Sequence, residues 1–77
     1  MDKAKNLGDF IKEKRGFLKI TQRELADSAG VGLRFVRELE ANKQTVRLDK
    51  VGQVLKVFGC KLWPIPISGS RQREIEL

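Results

Sequence analysis

Thr21-Gln22-Arg23-Glu24-Leu25-Ala26-Asp27-Ser28-Ala29-Gly30-Val31-Gly32-Leu33-Arg34-Phe35-Val36-Arg37-Glu38-Leu39-Glu40 is the stretch whose reading decides the fold. It predicts two short helices joined by a tight glycine turn. Thr21 and Glu24 have the spacing of a capping box, in which each side chain bonds the other's backbone amide. The first of these helices closes at Ala29, and Gly30 offers the positive φ that a sharp reversal needs. Ala26 is small enough to let the two helices approach. A wheel of residues 31–40 puts Val31, Phe35, Val36 and Leu39 on one side and Leu33, Arg34, Arg37 and Glu38 on the other. A short helix with cations on its outer side fits the major groove of a DNA duplex.

Working outward, Leu7, Phe10, Ile11 and Leu18 form the apolar stripe of an earlier helix, expected from Asn6 to Phe17. A polar loop, Ala41 to Gln44, follows the cationic helix. Leu48, Val51, Val54, Leu55 and Phe58 then predict a further helix, with Gly59 past its end. Residues 60–67 carry Pro64 and Pro66, which exclude a helix and suit an extended segment. The expected organisation is a flexible 1–5, a DNA-binding domain over 6–59, a dimerisation strand over 60–67 and a flexible tail over 68–77. The expected fold is all-α, a compact bundle of four to five helices followed by that short strand.

Composition bounds the chemistry. Seventy-seven residues make one domain near the lower size limit for a self-sufficient core, where added burial by dimerisation helps. Sixteen Lys and Arg against ten Asp and Glu give a net charge of +6, which favours polyanions. No long apolar span or cationic leader is visible, which argues against a membrane and for the cytoplasm. The single cysteine, Cys60, cannot form an internal disulfide, and there is no histidine. Zinc cages and the usual acid–base catalyst are therefore excluded, and no catalytic residues, metal or cofactor are expected. The chain does not read as an enzyme.

Candidate contacts divide by type. Arg34 and Arg37, three apart, suit guanine O6 and N7 or one base and one phosphate. Leu33 suits a thymine methyl, although a lone exposed leucine needs no explanation. Glu38 suits either cytosine N4 or an ordinary i,i+4 pairing with Arg34. Phosphate contacts are expected from Gln22, at the positive end of a helix dipole, with Thr21, Arg23, Gly32, Asn42, Lys43 and Arg47 around it. Arg15 and Glu40 each end a helix among core positions. They are either a buried bidentate pair or two solvated ends.

Pro64 and Pro66 are two apart, so their missing donors fall on one edge of an extended strand. Trp63, Ile65 and Ile67 would then pair along the other edge with a second copy, with Leu62 beside them in the dimer contact, giving a two-fold ribbon that cannot grow further. The plainer reading is an irregular proline-rich exit in which Trp63 covers the core. A ribbon dimer would set two cationic helices roughly 34 Å apart, matched to an inverted repeat.

From Leu7 to Phe58 the sequence resembles the lambda-repressor-like, or XRE, family of helix-turn-helix regulators. The carrying residues are Ile11-Lys12-Glu13-Lys14-Arg15, Thr21 to Ala26, Ala29-Gly30-Val31 and Phe35 to Glu40. The resemblance implies that Arg15 pairs with Glu40, that Gln22 holds a phosphate, and that Leu33, Arg34 and Glu38 meet bases. It departs at Gly32, where the family usually has Ser or Thr. Phe35 to Glu40, Lys43 and Thr45 to Val51 look more narrowly like HipB-type antitoxins. That implies a dimeric repressor of an inverted-repeat operator with a second partner, a HipA-like Ser/Thr kinase toxin. The alternatives are a stand-alone phage-type repressor and an interaction module that mainly sequesters a partner protein.

Overall fold

The computed structural model describes residues 6–66 and contains four helices: α1 (Leu7–Leu18), α2 (Gln22–Ala29), α3 (Leu33–Glu40) and α4 (Leu48–Val57). The expected flexible ends at 1–5 and 68–77, and Ile67 of the expected strand, lie outside the described residues.

Local chemistry punctuates each helix. Asn6 caps α1 by accepting from the Asp9 amide, and Lys19 ends it in the left-handed region at φ 59°. The α2 capping box is complete. Thr21 Oγ1 accepts from the Glu24 amide at 3.0 Å, and Glu24 Oε1 accepts from the Thr21 amide at 2.8 Å. Gly30 closes α2 at φ 73°, its amide donating back to Ala26 and Asp27. Gly32 begins α3 with extended backbone and no side-chain cap.

The core gathers one stripe from each helix: Ile11 from α1, Leu25 and Ala26 from α2, Val36 and Leu39 from α3, and Val51, Val54 and Leu55 from α4. Burying such stripes is the main favourable term for a bundle this small. The helix α2 packs on both α3 and α4, while α1 packs on α3. One close approach is decisive for α1. A Cβ at Gly8 would stand 2.6 Å from Asn42 Oδ1 and 2.7 Å from the Leu39 carbonyl oxygen. Only a bare α-carbon lets the start of α1 lie against the end of α3.

Two expectations are corrected by this packing. Leu18 and Leu48 have the spacing of core residues but stand at helix ends and are exposed, Leu48 by 69%. A helical stripe names a face, and the bundle covers only the middle of that face. In the single chain the segment from Cys60 to Pro66 has no ladder, because no other strand among the described residues lies beside it. Trp63 is 71% exposed, so it does not serve as a lid on the core.

Candidate nucleic-acid interface

The charged heart of the fold is Glu40, at 2% exposure. Arg15 approaches it along two parallel hydrogen bonds, Nε to Oε2 at 2.7 Å and Nη2 to Oε1 at 3.0 Å. A third guanidinium hydrogen bond, from Nη1, reaches the Ile20 carbonyl at 2.9 Å and ties down the α1–α2 turn. The bonds to Glu40 hold the Arg15 pKa above its ordinary value, against a smaller opposing effect of burial. Gln22 Nε2 donates to the same Glu40 Oε1 at 3.0 Å. One carboxylate therefore orients α1, α3 and the first residue of α2. The second N–H of the Gln22 amide remains available at the start of α2, where the helix dipole favours an anion.

The helix α3 presents Arg34 and Arg37 outward while Val36 and Leu39 are buried. Arg34 is 90% exposed and donates through Nε to Glu38 Oε2 at 3.2 Å. Among the described residues no carboxylate pairs with Arg37. Leu33, expected among the outward residues, is instead half-buried and packs against the core. Helical side chains lean toward the N-terminus, so at the first position of α3 the leucine leans over the preceding turn.

The loop after α3 extends the cationic surface. Lys43 Nζ lies 3.5 Å from Glu38 Oε1. Arg47 forms a two-point pair with Asp49, at 3.2 and 2.7 Å, and the bond from Arg47 holds the Asp49 carboxyl below the usual carboxylate range. Asn42, expected on a phosphate, is exposed and has its side-chain oxygen engaged by the start of α1. It accepts from the Gly8 amide at 3.0 Å while its own backbone is left-handed at φ 60°. Thr21, Arg23 and Gly32 are exposed at the starts of α2 and α3. Between α3 and the start of α4 lies an open groove of about 380 Å³, walled by Arg34, Phe35, Glu38, Lys43, Arg47 and Lys50.

The groove is walled by four cations and Glu38, along a helix that also displays Arg37, and such a surface suits a polyanion. This geometry agrees with two comparisons. Residues 11–62 match the helix-turn-helix family. The chain belongs to that family. It is also 44% identical over 57 residues to an uncharacterized HTH-type transcriptional regulator, y4mF, of Sinorhizobium fredii. That alignment covers 74% of this chain and 75% of the relative. In helix-turn-helix terms α2 and α3 are the motif, with α3 its second helix.

Some contacts of this helix-turn-helix domain left no trace in the spacing of residues. Gln53 Nε2 donates to the Ala29 carbonyl at 3.0 Å and so caps the end of α2 from α4. Lys50 Nζ stands 6.0 Å from the centre of the Phe35 ring. Asp49, in contrast, has a sequence signal: an acid in the first turn of a helix complements the helix dipole. Among the described residues no group of three Cys, Asp or Glu side chains could hold a metal ion, and no helix is long and apolar enough to cross a membrane.

Proposed function

We propose that the chain is a sequence-specific transcriptional repressor that occupies an inverted-repeat operator as a homodimer. The observation that carries this reading is the division of α3: Val36 and Leu39 are buried while Arg34 and Arg37 face outward beside a cationic groove. Arg34 and Arg37 read base edges in the major groove, with Leu33 and Glu38 bordering them. Thr21, Gln22, Arg23, Gly32, Asn42 (through its amide nitrogen), Lys43 and Arg47 border the phosphates. The printed name of the Sinorhizobium fredii relative, an HTH-type transcriptional regulator, supports a role in transcription. Repression is by occupancy and involves no chemical step.

The dimer forms through Leu62, Trp63, Ile65 and Ile67. Leu62, Trp63 and Ile65 are large apolar side chains exposed on the single chain, and an exposed run of this kind favours a partner surface. Proline spacing blocks the outer edge of the ribbon. The resemblance of Phe35 to Glu40, Lys43 and Thr45 to Val51 to HipB-type antitoxins supports a second partner, a HipA-like Ser/Thr kinase toxin encoded in the same operon. Enrichment of duplexes from a randomised library by the full chain tests the DNA reading. An enriched inverted repeat supports it, and an enriched single half-site would argue for a monomer.

A further inference from the structure

The Arg34–Glu38 pair is in the wrong order to stabilise its own helix. A cation placed four residues before an anion is the weaker arrangement, and both charges oppose the helix dipole. Arg34 is in the first turn of α3, which contains no acidic residue, and Glu38 is near the end. The pair nevertheless forms, and its carboxylate is held from a second side. Glu38 Oε2 lies 3.2 Å from Arg34 Nε, and Oε1 lies 3.5 Å from Lys43 Nζ. The Lys43 amide also donates to the Glu38 carbonyl at 3.1 Å, so the lysine backbone is fixed to the same residue. Glu38 is only 30% exposed, whereas the arginine it holds is almost fully in solvent.

This geometry has a directional consequence. A guanidinium held at Nε cannot present its Nε side to another acceptor, but both Nη groups remain free at the far end. An arginine buttressed in this way meets guanine end-on, with its two Nη groups on O6 and N7. Less side-chain entropy is then lost when the contact forms. We propose that Glu38 is a positioning residue for specificity: it holds Arg34 for end-on pairing with a guanine and does not itself read a base. This rests on the DNA-binding reading above. Lys43 is the counterweight that keeps the carboxylate in place.

The test begins with the duplex that the wild-type full chain enriches from a randomised library. Affinity is then measured for every single-base-pair change in that duplex, using wild type, Arg34→Ala, Glu38→Gln, Glu38→Asp and the Arg34→Ala/Glu38→Gln double variant. Glu38→Gln keeps the shape and removes the charge. Glu38→Asp keeps the charge and draws the guanidinium back along the helix. Both Glu38 variants are expected to lose about tenfold in discrimination at the same G·C pair that Arg34→Ala relaxes. The double variant loses no more there than Arg34→Ala alone, because the effect passes through Arg34. Relaxation at a different base pair would show Glu38 reading a base itself and overturn the proposal. So would a wild-type profile for Glu38→Asp, which would reduce the role to net charge. If the wild type enriches no sequence, the DNA reading fails and the proposal fails with it; the two preceding outcomes leave that reading intact.

Discussion

Arg15 and Glu40, twenty-five residues apart, meet in two parallel hydrogen bonds of 2.7 and 3.0 Å at the junction of α1 and α3. The carboxylate is buried and the guanidinium is partly exposed. The two halves of the pair should therefore differ in their response to mutation. Arg15→Ala strands a buried anion with only Gln22 to bond it, and is expected to cost about 3 kcal/mol or more. Glu40→Ala leaves a cation that can turn toward water, and should cost less. Urea denaturation of both variants checks the order; equal losses would mean that burial of the carboxylate is not the controlling cost.

Gly8→Ala is expected to destabilise the domain by about 1–3 kcal/mol, because the new methyl meets two oxygens of the α3 terminus. Adding Asn42→Gly relieves the side-chain clash and tolerates the left-handed backbone, but it removes the acceptor of the residue 8 amide and leaves the Leu39 carbonyl in the way. The double variant should therefore recover only part of the loss. Thermal melts of the wild type and the two variants provide the comparison.

Leu25 and Leu48 share a residue type but differ in environment. Leu25 is fully buried, and Leu25→Ala should cost about 2–5 kcal/mol. Leu48→Ser, at an exposed helix start, should change stability by no more than about 0.5 kcal/mol. A large loss at Leu48 in the full chain would reveal that a second copy or another segment covers it.

Truncation after Gly59 removes Leu62, Trp63 and Ile65 while leaving all eight core residues in place. Cooperative folding should survive, while affinity for a two-half-site duplex should drop about 100-fold or more, as two coupled domains become independent. Sedimentation should show a dimer for the full chain and a monomer for the truncated one. Unchanged affinity would place the dimer contact elsewhere.

What was legible in the sequence is what depends on short spacing. Thr21 with Glu24 and Gly30 after Ala29 are interactions within one turn, and residue type alone is enough to place them. The middle of each apolar stripe was legible for the same reason, since period and burial coincide there. Leu18 and Leu48 depart from their stripes because periodicity assigns a face without saying how far along it a neighbour extends. Leu33 was misplaced because a wheel ignores the lean of side chains toward the helix start. The Gly8–Asn42 bond spans 34 residues and depends on how α1 docks, so no local pattern announces it. The same holds for Gln22, whose amide joins Glu40 only once three elements have assembled.

The central claim is that α3 reads DNA through Arg34 and Arg37, and competition binding at near-physiological salt tests it most directly. The wild-type chain is offered its library-enriched duplex against a scrambled duplex of equal length, beside an Arg34→Ala/Arg37→Ala variant. The account predicts that wild type prefers the enriched duplex by about 1,000-fold or more, and that the variant, still folded, loses most of that preference while keeping weak general affinity. Equal binding of both duplexes by the wild type, or an undiminished preference in the double variant, would contradict it.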